Sequence, residues 1–467
     1  MYTYMILGGR HQIIKTLNQR NMKQQTEADL IGIGIGPSNL STAALLDPLK
    51  EINSIFFDCK QEFQWFPGML FPEATIQVSW LKDLVTLVDP TSRHSFLSFL
   101  AHKKRMYRFA MARFPRVKRR EFNQYFQWVS QQLPNLHFDT SVDSVTFDKD
   151  LFTVNHSRGQ HIAGNIVIAA GQSAKVPDCV RPHLCSTVFH ATQFIKENNA
   201  SADRRIIVVG GGQSGAELVN QLLLNRAALP ESISWISRRP NFLPIDDSPF
   251  TNEFFTPSYS EYFYHLPDLE KRKLLGQQTL ASDGINLDLL EDIYRNLYEV
   301  DLIEGKGKLA RLHFNHSVTG LKKLADGWGL VCKNTSTGEV NQYDADIIIF
   351  ATGFEYQPPK FLEPIIGRLK TNDNGFDITE DFCIEWDGPA ANKIFIQNGA
   401  RHVRGVADPN LSLVAWRSAK IINKLAGKKV YDIENESSVF NWHQFVATPE
   451  NKLESIDEDL IEFLEKE

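Results

Sequence analysis

The sequence predicts an α/β protein built from two dinucleotide-binding domains, the second inserted in the first, with a small helical substrate region. Three stretches carry that expectation. "DLIGIGIGPSNLSTAALL", Asp29 to Leu46, runs an apolar strand into alternating glycines and leaves as a small-residue helix. "IIVVGGGQSGAELV", Ile206 to Val219, repeats the pattern with all three glycines in place. "ADIIIFATGF", Ala345 to Phe354, then brings another apolar strand onto a glycine, and it reads as a strand completing the first domain. At 467 residues the chain is long enough for two or three domains.

Each element follows from local pattern. Leu30 to Ile33 is a short apolar run bounded by glycine, the mark of a buried parallel strand, and Ser38 to Leu46 supplies the helix. "SIFFD" is the next strand, ending in Asp58. An aromatic and proline-rich loop follows, Phe63 to Leu100, too patterned for a linker. Arg120 to Leu133 spaces Phe122, Tyr125, Phe126, Val129 and Leu133 on one helical face. "NIVIAAGQ", from Asn165, is another strand meeting a glycine. The second unit begins near Arg204, its next strand is "SISWISRR", and the region from about Asn241 to Asn296 is helical and polar. Strand-like alternation returns from Leu312 to Cys332. The expected domains are an extension over 1–27, a first part of the first dinucleotide-binding domain over 28–200, and the second dinucleotide-binding domain over 201–340 with substrate helices at about 245–300. The first domain resumes over 341–430 with substrate contacts, and a tail covers 431–467. The segment before Met22 is read as dispensable or as a mis-assigned start.

Composition narrows the class. Hydrophobic residues make 42% of the chain and charged residues 23%, ordinary for a globular protein. A net charge of -6 and no long basic run give no reason to expect nucleic acid. The five cysteines are dispersed with no CxxC pair, which argues against a disulfide framework and against a zinc site, and no metal is expected. No stretch reaches the roughly 18 apolar residues of a membrane helix, and the N-terminus lacks a signal-peptide core. The expectation is a cytoplasmic protein with no stable membrane insertion.

The glycine turns carry the chemistry. In Gly34-x-Gly36-x-x-Asn39 the first glycine lets the chain turn, and the second lets backbone approach a pyrophosphate. Pro37 opens the helix whose N-terminus favours negative charge. Asn39 replaces the usual third glycine and is expected to bring an amide to the phosphate or flavin edge. Asp58 can accept from ribose hydroxyls. The second turn, Gly210-x-Gly212-x-x-Gly215 with Gln213 and Ser214, is followed by a strand ending in Ser237, Arg238 and Arg239 rather than an acid. Guanidinium groups there match the 2′-phosphate of NADP. Two dinucleotides in one chain imply electron traffic, and without haem or iron–sulfur spacing a flavin is the simplest acceptor. FAD on the first turn and NADPH on the second is the resulting assignment.

Further stretches resemble one family. "GIGPSNL", "FPGML", "SWLKDLV", "DPTSRHSFLSFL", "VVGGGQSGAE", "FATGFEY" and "LSLVAWRSAKI" are similar to phrases of the N-hydroxylating flavin monooxygenases, the lysine N6- and ornithine N5-monooxygenases of hydroxamate siderophore synthesis. The resemblance runs from about residue 28 to 425. "ASDGI" and "LSLVAWRSA" are nearest the lysine branch, and the tyrosine–serine segment expected of ornithine enzymes is not evident. The resemblance implies FAD- and NADPH-dependent hydroxylation of a terminal primary amine by a C4a-hydroperoxyflavin, with retained NADP⁺ shielding the site and dioxygen as co-substrate. It also implies a homo-oligomer, a dimer or tetramer. L-Lysine, giving N6-hydroxylysine, is the leading substrate; a decarboxylated amine such as putrescine, cadaverine or histamine is the rival. A pyridine nucleotide–disulfide reductase is a more distant alternative that lacks its cysteine pair here. A non-catalytic nucleotide-binding regulator is another.

Residue roles come with the resemblance. Lys82 is implied to face the flavin and pair with a substrate α-carboxylate, and Gln77 to border the isoalloxazine. Trp65, Pro67, Gly68 and Met69 would wall the flavin. Thr352, Gly353 and Ser412 would lie along the cofactor, and Asn252 and Leu413 near the substrate. Asn252 has a plain alternative as a helix N-cap. His94 and His102 are read as ordinary loop and helix residues.

Overall fold

The computed structural model describes residues 27–197, 201–434 and 437–442. The expectations for the segment before Met22 and for the end of the tail lie outside these residues. Strand β1 (Glu27–Ile33) starts half exposed and ends buried on both faces. It can do so because it is central: β2 (Ser54–Phe57) and β6 (Gly159–Ile168) flank it in parallel. Between β1 and β2, helix α1 (Pro37–Leu46) takes proline in its first turn and buries nine of its residues. Its buried hydroxyls are all spent: Ser41 Oγ donates to Leu84 O at 2.6 Å and Thr42 Oγ1 to Ser418 Oγ at 3.0 Å. Helix α2 (Arg119–Ser130) lays Phe122, Tyr125, Phe126 and Val129 into the same core.

The first sheet runs β3 (Leu136–His137), β2, β1, β6, β5 (Leu151–His156), β4 (Val142–Asp148). The long strand β6 serves two neighbours on one edge. Residues 159–163 pair antiparallel with β5, whereas Ile166 to Ile168 pair in parallel with a strand far along the chain, Ile394–Ile396. The chain thus leaves the first sheet after β6 and returns only at residue 394, with the second domain inserted between.

That second domain is a five-stranded parallel sheet. Its members in chain order are β7 (Val188–His190), β8 (Arg205–Val209), β9 (Ser232–Ile236), β10 (Ala310–His313) and, after a three-stranded antiparallel sheet covering residues 316–345, β14 (Ile347–Phe350). The three antiparallel strands are β11 (His316–Leu324), β12 (Gly327–Asn334) and β13 (Val340–Ala345), and the strand returning at Ile394 is β15 (Ile394–Ile396). Spatial order is β10-β9-β8-β14-β7. Two expectations change here. "ADIIIF" does not complete the first sheet: Ile347 to Phe350 pair with Ile206 to Val209 of β8. Residues 188–190, placed with the first domain from sequence, form the outer strand beside it. Ile347–Phe350 is wholly apolar and Val188–His190 is only three residues long, so nothing in their pattern says which sheet buries them. Helix α3 (Gln213–Leu224) follows β8, and helices α4 (Pro257–His265), α5 (Asp268–Gln277) and α6 (Leu287–Tyr298) form the expected helical region.

The two crossings between domains run side by side. Ser173 and Ala174 pair antiparallel with Phe354 and Glu355, and Lys175 N donates to Gly353 O at 2.9 Å. A buried ion pair spans the domains beside them. Arg119 at the start of α2 meets Glu217 on α3 with two bonds of 2.9 and 2.7 Å.

Candidate active site

The first glycine turn has the shape its sequence promised. Gly34 has φ +88°, and a Cβ there would stand 2.4 Å from Ala169 O, so only glycine fits. Gly36 precedes α1 in extended conformation, and a Cβ on it would meet no protein atom within 4 Å. The protein leaves that space open, at a helix N-terminus, where a pyrophosphate would sit. Asp58 ends β2 beside the turn, accepting from Ile35 N at 2.6 Å and Lys60 N at 2.8 Å. Asn39 behaves otherwise than expected. Fully buried, it donates to Gly34 O at 2.8 Å and accepts from Gln397 at 3.0 Å. Its amide braces the turn from behind instead of reaching outward, doing by hydrogen bonds what a third glycine does by close packing.

The second turn is tighter. Cβ atoms on Gly210 and Gly215 would meet Ala351 O and Gly210 O, both at 2.1 Å. Gly212 caps α3, and its missing Cβ would lie 3.5 Å from Asp283 O, so "ASDGI" covers this turn. Gly284 of that stretch packs against Ile245, whose Cα would lie 2.2 Å from an added Cβ. The two arginines then separate. Arg239 is held by Asp283 O at 2.8 Å and Gly211 O at 3.3 Å. Arg238 is exposed and makes no ion pair among the described residues. The first is bound to its own fold; the second is free for a ligand.

Beside the second turn lies a cleft lined by Trp65, Met69, Gln77 and Asn410 from one domain and Gln213 and Ser214 from the other. Here the sequence expectations for flavin wall and coenzyme turn converge. Gln77 Nε2 donates to Asn286 Oδ1 at 3.3 Å, and Asn286 N donates to Gln213 Oε1 at 2.9 Å, a chain of amides crossing the cleft. Pro67–Met69 is a single 3₁₀ turn, and a Cβ on Gly68 would strike Thr192 O at 1.8 Å. Thr352 Oγ1 donates to Lys175 O and Gly353 O accepts from His190, so both fasten the crossing segments. No cysteine lines the cleft, as a disulfide reductase would require.

Lys82 stands outside the lining of this cleft and is linked to it through Ser412 and Asn410. Partly buried, it donates to Ser412 Oγ at 3.1 Å and lies 5.9 Å from the Phe255 ring. Burial lowers its pKa, and no carboxylate faces it among the described residues. Ser412 in turn donates to Asn410 Oδ1 at 2.8 Å. Asn252 sits three residues before Phe255 but is exposed, its amide on Asp247 O at 3.0 Å; Ser248 and Thr256, not Asn252, cap the helices here. Leu413 is buried in the core of the first domain, away from open space. His94 pairs with Asp47 at 3.0 Å, an ordinary structural role.

Sequence reasoning missed several cleft residues. Phe66, with φ +48°, and Phe354 meet at 5.6 Å, and His190 packs edge-on to Phe354 at 5.4 Å. Arg119 lines the same space. These come from four separate segments, and only the paired crossings bring them together. Arg417 was missed too. Fully buried, it pairs with Asp408 at 3.0 Å and reaches Ser38 Oγ at 3.2 Å, tying helix α7 (Val414–Ala426) to the first turn.

Comparison with known proteins now has a site to explain. The profile of the L-lysine 6-monooxygenase/L-ornithine 5-monooxygenase family matches residues 26–356. L-lysine N6-monooxygenase of Escherichia coli is 38% identical over 417 residues, covering 89% of this chain and 98% of the relative. Putrescine N-hydroxylase of Shewanella oneidensis is 32% identical, covering 88% and 83%. Among solved structures, the FAD-bound cadaverine monooxygenase of Erwinia amylovora superposes with TM-score 0.84 at 31% identity, covering 89% of this chain and 98% of that one. The open cradle at Gly36, the glycine turn at Gly210 to Gly215 and the cleft beside it fit the cofactors of that chemistry. The chain belongs to the L-lysine 6-monooxygenase/L-ornithine 5-monooxygenase family and is an FAD- and NADPH-dependent N-monooxygenase.

Proposed function

We propose that this enzyme hydroxylates the side-chain amine of L-lysine, giving N6-hydroxylysine for a hydroxamate-type siderophore. The observation that carries the substrate is Lys82: a partly buried ammonium with a hydroxyl and an aromatic ring beside it and no carboxylate partner among the described residues. A desolvated cation in that state favours an anionic ligand, and the α-carboxylate of an amino acid is one. When bound, FAD takes electrons from NADPH and supplies activated dioxygen to the amine.

The chain's own groups bind and orient. Gly34, Gly36 and Asp58 would hold the flavin nucleotide; Gly210, Gly212, Gln213, Ser214 and Arg238 would hold NADPH. Lys82 would anchor the carboxylate, with Ser412 fixing the direction of its Nζ. Gln77, steadied by Asn286, would border the flavin ring. Trp65, Phe66, Met69 and Phe354 give the cleft apolar walls that keep water from the reacting oxygen. The ε-amine, with an ordinary pKa of about 10.4, must lose its proton before it can attack. No protein nucleophile is required. On this reading the enzyme works in the cytoplasm, where NADPH and lysine are found.

A second reading keeps the chemistry and removes the carboxylate, because relatives at 32% and 31% identity are named for putrescine and cadaverine. Hydroxylamine formation measured across lysine, ornithine, cadaverine, putrescine and histamine separates the two. A higher kcat/KM for any carboxylate-free amine than for lysine would overturn the lysine assignment and leave N-hydroxylation standing.

A further inference from the structure

Residues 103–120 carry nine lysines and arginines and no acid, in a chain of net charge -6. Interleaved aromatic and aliphatic residues hide them as a run. Part of this charge is spent within the fold: Arg105 on Glu121, Arg116 on Asp247 and Asp288, Lys118 on Glu73, Arg119 on Glu217. Lys103, Lys104, Arg108 and Arg113 have no ion pair among the described residues. The helix Met106–Ala112 at the centre of the segment buries none of its side chains. Tyr107 is 86% exposed and Met111 76%. Phe114 is exposed beyond them.

A second patch has the opposite charge. Residues 287–304, helix α6 with the turn that continues it, carry six acids and one arginine. Of this stretch only Ile293 and Val300 are buried. Leu287, Tyr294, Tyr298 and Leu302 are exposed at intervals of seven, four and four residues, which puts them on one helical face. The two patches adjoin: Arg116, just after Phe114, bonds Asp288, just after Leu287, at 3.2 Å. Exposed aromatic and aliphatic side chains gathered on adjoining faces mark an interface.

We propose that this double patch is the contact face for a second copy of the chain, related by a two-fold axis. The basic helix of one protomer would meet the acidic α6 of its partner, and the reverse, with the aromatic side chains between them. Adjoining patches of opposite sign are self-complementary under a two-fold rotation, so the contact closes at two subunits through this face. An anionic membrane would attract the basic half and repel the acidic half beside it, which favours the second copy.

The test uses full-length, FAD-loaded protein in sedimentation equilibrium. Wild type should self-associate at micromolar concentration, and association should weaken as salt rises, because the contact is part electrostatic. Arg108→Glu with Arg113→Glu should weaken self-association at least tenfold, and so should Glu291→Arg with Asp292→Arg. Mixed in equal amounts, these two variants should associate with each other, because each reversed patch then faces an opposite charge. Flavin content and Tm show that each variant is folded, and should either fail to fold, the wild-type salt series still decides. A monomeric wild type, an assembly indifferent to salt and to both charge reversals, or no association in the mixture would overturn the proposal. So would monomers captured by phosphatidylglycerol vesicles through Arg108 and Arg113.

Discussion

Replacing Lys82 by methionine should separate substrate binding from everything else the enzyme does. The side chain stays unbranched, one atom shorter, and loses its charge. In the free enzyme that charge rests on one hydroxyl at 3.1 Å and has no carboxylate partner among the described residues, while burial depresses its pKa. The folded state therefore favours the neutral amine, and the charge costs stability below the folded pKa. That cost is relieved as pH climbs through the folded value toward the ordinary 10.5. Lys82→Met should accordingly leave Tm at pH 7 unchanged or slightly higher. With lysine bound, the ammonium gains its partner. Breaking a buried pair costs about 3–5 kcal/mol, and partial exposure of Lys82 reduces this to about 2–3 kcal/mol. The expected loss in kcat/KM for lysine is about 30- to 150-fold. Cadaverine shares the reacting amine and lacks the carboxylate, so its kcat/KM should change by less than about threefold. The pH profile adds a second readout. KM for lysine should rise as pH climbs through the lowered pKa of Lys82, a limb absent for cadaverine and absent in the variant. Hydroxylamine formation for both substrates, with flavin reduction by NADPH timed separately, is the assay. Equal losses for lysine and cadaverine would refute the carboxylate anchor.

Other residues give sharper contrasts than the sequence could. Arg238→Ala should raise KM for NADPH more than for NADH, by a contact of about 1.5–3 kcal/mol, whereas Arg239→Ala should lower Tm and affect both coenzymes alike; steady-state kinetics with each coenzyme distinguishes them. Gly36→Val should give folded protein with little bound FAD, because the added side chain meets open space in the protein and occupies the place left for pyrophosphate; flavin absorbance after gel filtration reads this directly. Arg119→Met strands the carboxylate of Glu217 between the domains and should cost about 3–5 kcal/mol in urea unfolding, with Arg119→Met/Glu217→Leu recovering much of it.

The sequence was legible where a physical need is met within a few residues. A glycine turn needs its strand, its glycines and its helix in one stretch, so both nucleotide turns and α2 could be placed from pattern alone. It was least legible where a side chain's partner lies far along the chain. Asn39 looks outward on paper, yet its partners are Gly34 O and Gln397. Arg238 and Arg239 are adjacent and of one type, and only the carbonyl of Asp283 divides their roles. The strand Ile347–Phe350 is four apolar residues that either sheet would bury, and β8 is what claims them. Lys82 was found through resemblance, but its lack of a carboxylate partner among the described residues is a fact of three dimensions.

The central claim is that NADPH-reduced dioxygen places one oxygen atom on the ε-nitrogen of lysine, whose lone pair forms the N–O bond, while the other oxygen leaves as water. Purified enzyme supplied with lysine, NADPH and ¹⁸O₂ tests it most directly, with the product read by fragment mass spectrometry. The account predicts one ¹⁸O on the ε-nitrogen and close to one product per NADPH consumed. NADPH oxidation that yields only hydrogen peroxide and returns lysine unchanged would contradict it.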